Sequence, residues 1–480
     1  MNIGGSIRRM IALAVVLGLA LQPAMASALT REEERELGRE VLFMVKKNYK
    51  MVDDPDIVNY VNQVGRRIVA VIGPQPFDYQ FFVLDSDVIN AFATPAGNVF
   101  INSGLLSNLD NEGELAAILA HEISHVTSRH IAGRMDRSKN LSLATLGGIM
   151  AGIFLGGPIG TAMMVGSAAG AVQAELAYTR ADEKEADSKG LDYLVEAGYD
   201  PRFMAQSFQM LLRTSWHEPD DMPTYLTTHP GLDQRIAAVE NAVISHPGYN
   251  KVRGQGDTKG FEATKIRILA LLADSQRARN YMEGLLKKDP ASPMAHYGMG
   301  LLFQREQNFS EALREFNTAL KADPANPAVL TAVGGLRYRM KDLDGAADIL
   351  GRVLVLRPDS ARALMLMAQI NEAQGNQDRA RDLFGRVLKQ DPDNAEALYK
   401  MGQIYGKEGD MARAHLHTGL YFKAEFEYAK AAYHLEKAKE FADKSGPASL
   451  KEQIDAALEE VKASSKLGGQ QAGGGPGGRR

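Results

Sequence analysis

The sequence has no cysteine among its 480 residues. Disulfide bonds, thiol catalysis and cysteine-ligated zinc sites are therefore excluded, which leaves histidine and carboxylates as the only strong metal ligands. Charge of one sign is not in excess either, since 55 Lys and Arg residues face 59 Asp and Glu residues. Because no basic stripe is present to attract phosphates, we expect no nucleic-acid partner.

The N-terminus has the pattern of a secretory signal peptide. Two arginines precede an apolar run at residues 10–21, which is short for a membrane span, and small residues follow it. We expect residues 1–28 to be removed near Ala26 or Ala28, which predicts a periplasmic location in a bacterial source. The alternative is that the apolar run is retained as an N-terminal anchor.

A metal-binding helix is predicted at residues 110–131, where apolar residues recur at helical spacing. It contains His121 and His125, which are four residues apart and can share one helix face as half of a tetrahedral zinc site. Glu122 lies one position further round, where its carboxylate can act as a general base on water without binding the metal. The spacing predicts one zinc ion whose third ligand comes from elsewhere.

The third ligand should be a carboxylate or histidine on a later helix. His130 is nearest, but on a continuous helix it would face away from the first two ligands. A second predicted helix, residues 178–197, carries Glu183, Glu185 and Asp187. Glu183 can bind the metal while Asp187 accepts a hydrogen bond from a ligand imidazole, and Glu185 is the alternative ligand.

Two strands are predicted ahead of the zinc helix, at residues 79–84 and 98–102. A strand beside a zinc-site helix often forms a sheet edge that can pair with an extended peptide. Such a substrate edge is expected at Asn98, Val99, Phe100 and Ile101. Ordinary sheet pairing is the alternative.

The order of these motifs resembles the gluzincin peptidase family that includes HtpX and the CAAX prenyl proteases. The resemblance rests on His121-Glu122-Ile123-Ser124-His125, on Glu183 with Ala186-Asp187, and on Asn90-Ala91-Phe92-Ala93 ahead of the helix. It implies that residues 29–250 form an α+β zinc metallopeptidase domain with a small sheet. By the same resemblance, Glu183 rather than Glu185 is the third ligand.

A further element, His229-Pro230 followed by Arg235, is similar to one near the metal in this family. On its own, a histidine before a proline is more typical of a loop. The resemblance implies that His229 is an inhibitory extra zinc ligand or an oxyanion partner. It implies that Arg235 is a structural or oxyanion-side cation.

Residues 141–174 carry no charge and contain eight glycines. One membrane crossing needs about 20 apolar residues, but His125 and Glu183 must meet at one metal, so the chain must return to the side it left. The segment is too short for two crossings. We expect a helical hairpin that bends at residues 156–158 and covers the cleft or rests on a membrane surface; a buried hairpin is the alternative.

Residues 256–462 repeat with the period of 34 that is typical of tetratricopeptide repeats. The period is carried by Pro290, Pro324, Pro358 and Pro392, and by Ala278, Ala312, Ala346, Ala380 and Ala414. After Gly409 the frame shifts by half a period, so the helix from Met411 should serve two repeats or be unusually long. The Gly-rich residues 465–480 are expected to form a disordered tail.

The fold class expected is mainly α, with the peptidase domain followed by an all-α solenoid. The whole arrangement is similar to BepA-like peptidases of the same family. The resemblance implies an exported zinc endopeptidase that degrades misfolded or misassembled outer-membrane proteins. Its repeats would bind substrate or the β-barrel assembly machinery, or would only pack against the peptidase. The alternative function is a chaperone or assembly scaffold whose proteolysis is rare or latched.

Overall fold

The computed structural model describes residues 29–135, 150, 152, 178–217 and 224–469. The predicted signal peptide, nearly all of the predicted hairpin at residues 141–174 and residues 470–480 lie outside this part. No helix within the described ranges combines the length and the apolar character that a membrane crossing requires.

The first part of the described chain combines helices with one small sheet. Its elements are α1 (Arg31–Asn48), α2 (Pro55–Val69), β1 (Gln80–Leu84), β2 (Ala91–Ala93), β3 (Asn98–Asn102), α3 (Ser103–Asn108), α4 (Glu112–Thr127), α5 (His130–Met135), α6 (Arg180–Glu196), α7 (Arg202–His217), α8 (Thr224–Thr228) and α9 (Leu232–Ser245). Helix α1 begins at a capping box, in which the side chains of Thr30 and Glu33 each accept a hydrogen bond from the other residue's backbone N–H. These bonds satisfy donors that the first helical turn leaves unpaired.

The sheet has the strand order β1–β3–β2, so β3 lies in the centre. It pairs in parallel with β1 and antiparallel with β2, and all of its residues are buried. The prediction of a substrate-binding edge strand at Asn98, Val99, Phe100 and Ile101 is therefore wrong, and ordinary sheet pairing is found instead. The apolar residues Val99, Phe100 and Ile101 indicate that both faces of the strand are covered, but they do not show which strands pair with its edges.

Two hydrophobic cores cover the two faces of the sheet. Val99 and Ile101 belong to the larger core with α2, α4 and α7, whereas Phe100 belongs to a smaller core with α1. Met150, from the segment predicted as a hairpin, is buried in the smaller core. Helix α4 is buried from Glu112 to His125, so the metal-binding motif lies in the interior.

Helix α4 ends at Thr127, short of the end predicted at residue 131. Arg129 adopts a left-handed backbone conformation with φ of 53°, and its Nε donates to Glu34 on α1 at 2.7 Å. The turn redirects the chain into α5 and brings Nδ1 of His130 to 2.9 Å from Nδ1 of His125. The expectation that His130 faces away from the ligands is wrong, because it assumed one continuous helix.

The second part of the described chain consists of paired helices. They are α10 (Thr258–Leu271), α11 (Ser275–Lys288), α12 (Pro293–Arg305), α13 (Phe309–Ala322), α14 (Pro327–Arg339), α15 (Leu343–Leu356), α16 (Ala361–Ala373), α17 (Gln377–Gln390), α18 (Ala395–Glu408), α19 (Met411–Ala424), α20 (Tyr428–Ser445) and α21 (Ala448–Gly469). Within a pair, a glycine on one helix lies against a large side chain on the next, as Gly300 does against Phe316. Such close contacts let successive repeats stack into a solenoid.

Helix α19 belongs to two repeats. Its Thr418 packs against Gly402 of α18, and its Gly419 packs against Leu435 of α20, which repeats the glycine contact half a period later. Because α19 has 14 residues, like its neighbours α17 and α18, the alternative of an unusually long helix is wrong. Helix α21 continues to Gly469, so the first residues of the predicted disordered tail are helical.

The solenoid packs against the peptidase part at α1 and α2. Asp54, the N-cap of α2, accepts hydrogen bonds from Arg267 Nε on α10 at 2.7 Å and from Arg362 Nη1 on α16 at 2.8 Å. The rings of Phe43 on α1 and Phe426 lie 6.0 Å apart. A cavity of about 610 Å³ is lined by residues of α2 and by residues of α10, α12, α14 and α16.

Candidate metal centre

Four side chains converge in the interior of the peptidase part: His121, His125, Glu183 and His229. Each can offer one ligand atom within 4.8 Å of all the others, and all four are buried. Nε2 of His121 lies 3.0 Å from Nε2 of His125 and 3.4 Å from Nδ1 of His229, which lies 3.1 Å from Glu183 Oε1. Three imidazoles and one carboxylate gathered this closely fit a tetrahedral transition-metal ion.

Three elements bring these donors together. Helix α4 supplies His121 and His125, the first turn of α6 supplies Glu183, and the residue after α8 supplies His229. Gly190 allows α6 to approach α4 closely, since a Cβ there would lie 3.2 Å from the His121 backbone. The sequence-predicted ligands Glu183 and His229, both distant from α4 in the chain, thus lie beside the histidine pair.

Asp187 and Arg235 form a layer behind the donors. Oδ1 of Asp187 lies 3.0 Å from Nδ1 of His121, the kind of contact that the sequence predicts for it. Arg235 donates to both oxygens of Asp187, at 2.9 and 2.7 Å, and also contacts Glu183. Because Asp187 faces Nδ1 of His121, the Nε2 atom of that ring is left toward the other donors.

Glu185, the alternative third ligand, lies outside the cluster. Its half-exposed carboxylate accepts a hydrogen bond from Lys189 Nζ at 2.7 Å, one turn further along α6. This contact lowers the pKa of Glu185 to about 2. Glu185 thus belongs to the outer surface of α6, whereas Glu183 points inward.

The charge states of Glu183 and His125 suit metal binding. Burial opposes ionisation of Glu183, but His229, His121 and Arg235 outweigh it and hold the pKa of this carboxyl well below its usual value. Burial, together with the neighbouring His121, holds the pKa of His125 well below that of a free histidine. Glu183 is therefore an anion and His125 a neutral imidazole, the states in which both act as ligands.

Glu122 lies beside the cluster without being part of it. It is fully buried, its Oε1 lies 3.6 Å from His229 Nε2, and neither carboxylate oxygen has a hydrogen-bond partner in the described part of the chain. Burial raises the pKa of Glu122. A buried carboxylate with no bonding partner and a raised pKa is a typical candidate for a general base.

Two tyrosines that the sequence analysis did not single out complete the centre. The ring of Tyr178 stacks on His125 at 3.8 Å between centroids, and the ring of Tyr225 stacks on His229 at 4.3 Å. Tyr225 precedes His229 by four residues, and residues at this spacing lie on the same side of a helical turn, so the contact could have been predicted. Tyr178 lies at the start of the helix predicted at residues 178–197, but α6 begins at Arg180, so helical spacing gives no signal of its contact with His125.

A buried His-Glu-x-x-His helix with a glutamate from a later helix defines a metallopeptidase centre. Residues 57–243 match the model of peptidase family M48, and tetratricopeptide repeat models match residues 272–327, 303–370 and 361–404. The chain therefore carries an M48 peptidase domain followed by tetratricopeptide repeats. This confirms the predicted fold class and the predicted resemblance to a repeat-bearing zinc peptidase.

Several known proteases are similar to part of this chain. The chain is 31% identical over 292 residues to a beta-barrel assembly-enhancing protease of Yersinia pestis, which covers 60% of this chain and 59% of the relative. It is 29% identical over 297 residues to the protein of that name from Escherichia coli (strain K12), with 60% and 59% covered. It is 27% identical over 219 residues to the mitochondrial metalloendopeptidase OMA1 of Arabidopsis thaliana, with 45% and 43% covered. The chain thus spans less than two thirds of the length of these relatives.

Proposed function

We propose that this chain is a zinc-dependent endopeptidase that is exported to the periplasm and degrades misfolded or misassembled outer-membrane proteins. The observation that carries the proposal is the unpartnered Glu122 carboxylate beside the buried donors His121, His125 and Glu183. We assign residues 1–28 to a signal peptide, residues 29–250 to the peptidase domain and residues 256–462 to the repeats.

The reaction is hydrolysis of a peptide bond. His121, His125 and Glu183 would hold the zinc ion, which would act as a Lewis acid toward the scissile carbonyl and toward water. Glu122 takes the proton of the attacking water and delivers it to the leaving nitrogen. Its raised pKa suits both steps, because the same group must accept and then release a proton near neutral pH.

Asp187 and Arg235 position the donors rather than react. Asp187 fixes the His121 tautomer through Nδ1, and Arg235 bonds both Asp187 and Glu183. These contacts keep the carboxylate of Glu183 aimed at the cluster. Ligand-orienting groups of this kind typically contribute about 10- to 100-fold to metal affinity.

His229 latches the resting site in this proposal. Its Nδ1 lies within 3.4 Å of both His121 Nε2 and the Glu183 carboxylate, where a fourth ligand would stand in the place of water. Replacement of His229 by alanine leaves the position of the fourth ligand open to water, so the His229→Ala variant cleaves faster than the native chain. The same observation favours the second candidate function, an assembly scaffold whose proteolysis stays latched.

The proposed substrates and partners rest on the relatives and the repeats. Two relatives are named for enhancing β-barrel assembly, and solenoids of this type present extended surfaces to other proteins. We propose that unfolded envelope proteins and the β-barrel assembly machinery are recognised by this chain. Residues 141–174 are proposed to contact a membrane surface peripherally.

The test is degradation of an unfolded protein by the mature chain loaded with one zinc ion, beside the Glu122→Gln and His229→Ala variants. Cleavage by the native chain that falls by about 10²–10⁴-fold in Glu122→Gln supports the endopeptidase with Glu122 as base. Cleavage only in His229→Ala supports the latch. If none of the three cleaves, and Glu122→Gln restores a deletion strain completely, the scaffold function is correct instead.

A further inference from the structure

A groove of about 300 Å³ runs between α6 and α9, next to the metal centre. Its walls include Leu191 of α6 and Ala238, Val239 and Ala242 of α9. The groove also reaches Pro230, the residue that follows His229. It therefore joins the outer surface to the segment that carries one of the four cluster donors.

Two cations stand at this apolar groove. Arg180 and Lys184 lie one turn apart on α6, both line the groove, and both are exposed. Among the described residues, neither Arg180 nor Lys184 has an ion-pair or side-chain hydrogen-bond partner. Their charges are thus available to an incoming anion, whereas Arg235 deeper in the groove is neutralised by Asp187 and Glu183.

An apolar groove flanked by two unpaired cations suits a ligand in which an apolar side chain lies close to a negatively charged group. The volume lies at the lower end of the range for ligand pockets, about 300–1,000 Å³, which suits a single side chain with its backbone rather than a long acyl chain. The carboxyl terminus of a polypeptide combines both features in one residue, and capture of a terminal carboxylate is a recurring mode of peptide recognition.

We propose that this groove binds the carboxyl terminus of a polypeptide whose last residue is apolar. The apolar side chain lies against Ala238 and Val239, and the terminal carboxylate pairs with Arg180 and Lys184. The inference deepens the proposed function, on which it rests for the identity of the polypeptide as a client, but binding itself requires no cleavage.

The site would also regulate the metal centre. Gly231, at the groove, has a left-handed φ of 79° and links His229 to α9 through Pro230. A residue wedged between α6 and α9 acts directly on this short connection and on the Asp187–Arg235 pair. Because coupling between two sites is reciprocal, a terminus that shifts His229 from the donors binds more tightly when His229 is already displaced.

The experiment measures binding of a fluorescent decapeptide that ends in phenylalanine to the full mature chain, kept inactive by Glu122→Gln. The same peptide with an amidated terminus is the ligand control. Ala238→Trp fills the groove, and Ala237→Trp, on the exposed side of α9 outside the groove, is the matched control. Arg180→Glu reverses one of the free charges.

The proposal expects the free-acid peptide to bind about fivefold more tightly than the amide, because an ion pair with an exposed cation contributes up to about 1 kcal/mol. Ala238→Trp and Arg180→Glu should each weaken binding by a similar factor, whereas Ala237→Trp should leave it unchanged. Equal affinity for acid and amide, or full binding by Ala238→Trp, would overturn it. Vesicles of anionic lipid that bind to the groove while the peptide does not would assign the site to a membrane instead.

Failure here is distinguishable from failure of the proposed function. Binding is measured in a variant that cannot cleave, so a chain without peptidase activity still passes or fails this test. Conversely, if an active peptidase binds the acid and amide peptides equally well, the proposed function stands but the proposed groove site is wrong. In the active chain, the free-acid peptide should in addition raise cleavage of an unfolded protein, and the amide should not.

Discussion

The metal cluster and the junction between α2 and the solenoid are both buried groups of carboxylates and cations, but they differ in what is left unpaired. At the junction, both oxygens of Asp54 are bonded by Arg267 and Arg362 adds a further bond, although Nε of Arg362 has no hydrogen-bond partner among the described residues. At the cluster, both oxygens of Glu122 and Nε2 of His229 lack hydrogen-bond partners among the described residues. Burying polar atoms without partners costs free energy, so their presence indicates a site shaped for another group.

The charged groups at the junction and those at the metal cluster have different roles in this chain. The paired charges of Asp54, Arg267 and Arg362 join the start of α2 to α10 and α16. The unpaired atoms around Glu122 and His229 are tolerated because surrounding packing enforces them. We therefore expect substitutions at the junction to change stability, and substitutions at the cluster to change metal affinity and rate.

Removing the charge at the junction should have the largest effect on stability. Asp54→Asn keeps an oxygen that can cap α2 but leaves Arg267 buried with a weaker partner. Breaking a buried pair from one side costs about 3 kcal/mol, here reduced by the nearby Asp56 carboxylate. Denaturant unfolding of the mature chain measures the loss. Asp53→Asn, one residue earlier and exposed, is the control and should change stability little.

At the metal centre, Asp187 lies behind the donors, and its replacement should change metal affinity. Asp187→Asn weakens the hold on His121 and should lower zinc affinity by about tenfold, within the range for ligand-orienting partners. Competition with a chromophoric chelator measures the affinity. Asp192→Asn, further along α6 where the carboxylate bonds His246 at the surface, is the matched control. An unchanged affinity in Asp187→Asn would mean that Asp187 serves the fold and not the metal.

How well the sequence predicts the contacts in these two regions depends on how far apart the contacting residues lie along the chain. His121, Glu122 and His125 follow from helical spacing, since residues four apart share a face in any helix. Selecting Glu183 over Glu185 needed the family resemblance, because the residue pattern of α6 allows both to reach a metal.

Contacts made by turns and by strand order were not predictable in the same way. The position of His130 depends on one left-handed residue, Arg129, and no periodicity encodes it. Strand β3 is central because it pairs with two strands at once, and the sequence of one apolar segment does not specify which strands pair with it. The bond from Asp54 to Arg362 spans 308 residues, far beyond any local pattern.

Acid provides the gentlest way to weaken the junction. Burial alone would raise the pKa of Asp54, but Arg267 and Arg362 outweigh it and lower the pKa to about 2, against 3.8 for an unperturbed aspartate. A carboxyl whose pKa is depressed on folding stabilises the folded state fully above pH 3.8 and loses that contribution as the pH falls toward 2. A shift of this size corresponds to about 2 kcal/mol.

The measurement must separate Asp54 from other acid-labile groups, because the zinc ligands also take up protons. Amide hydrogen exchange at the start of α2 reports on the junction, since Asp54 caps the N–H groups of Asp56 and Ile57. In the metal-free chain, protection of this segment should fall between pH 4 and 2 more steeply in the native protein than in Asp54→Asn, which has no such charge to lose. The pKa of Asp56 is raised by burial and by the charge of Asp54, so its contribution to stability changes above pH 3.8, outside most of this interval. Parallel pH profiles in the two proteins would show that the ion pair contributes nothing to the junction, and the contrast between a paired structural cluster and an unpaired functional one would then rest on the metal centre alone.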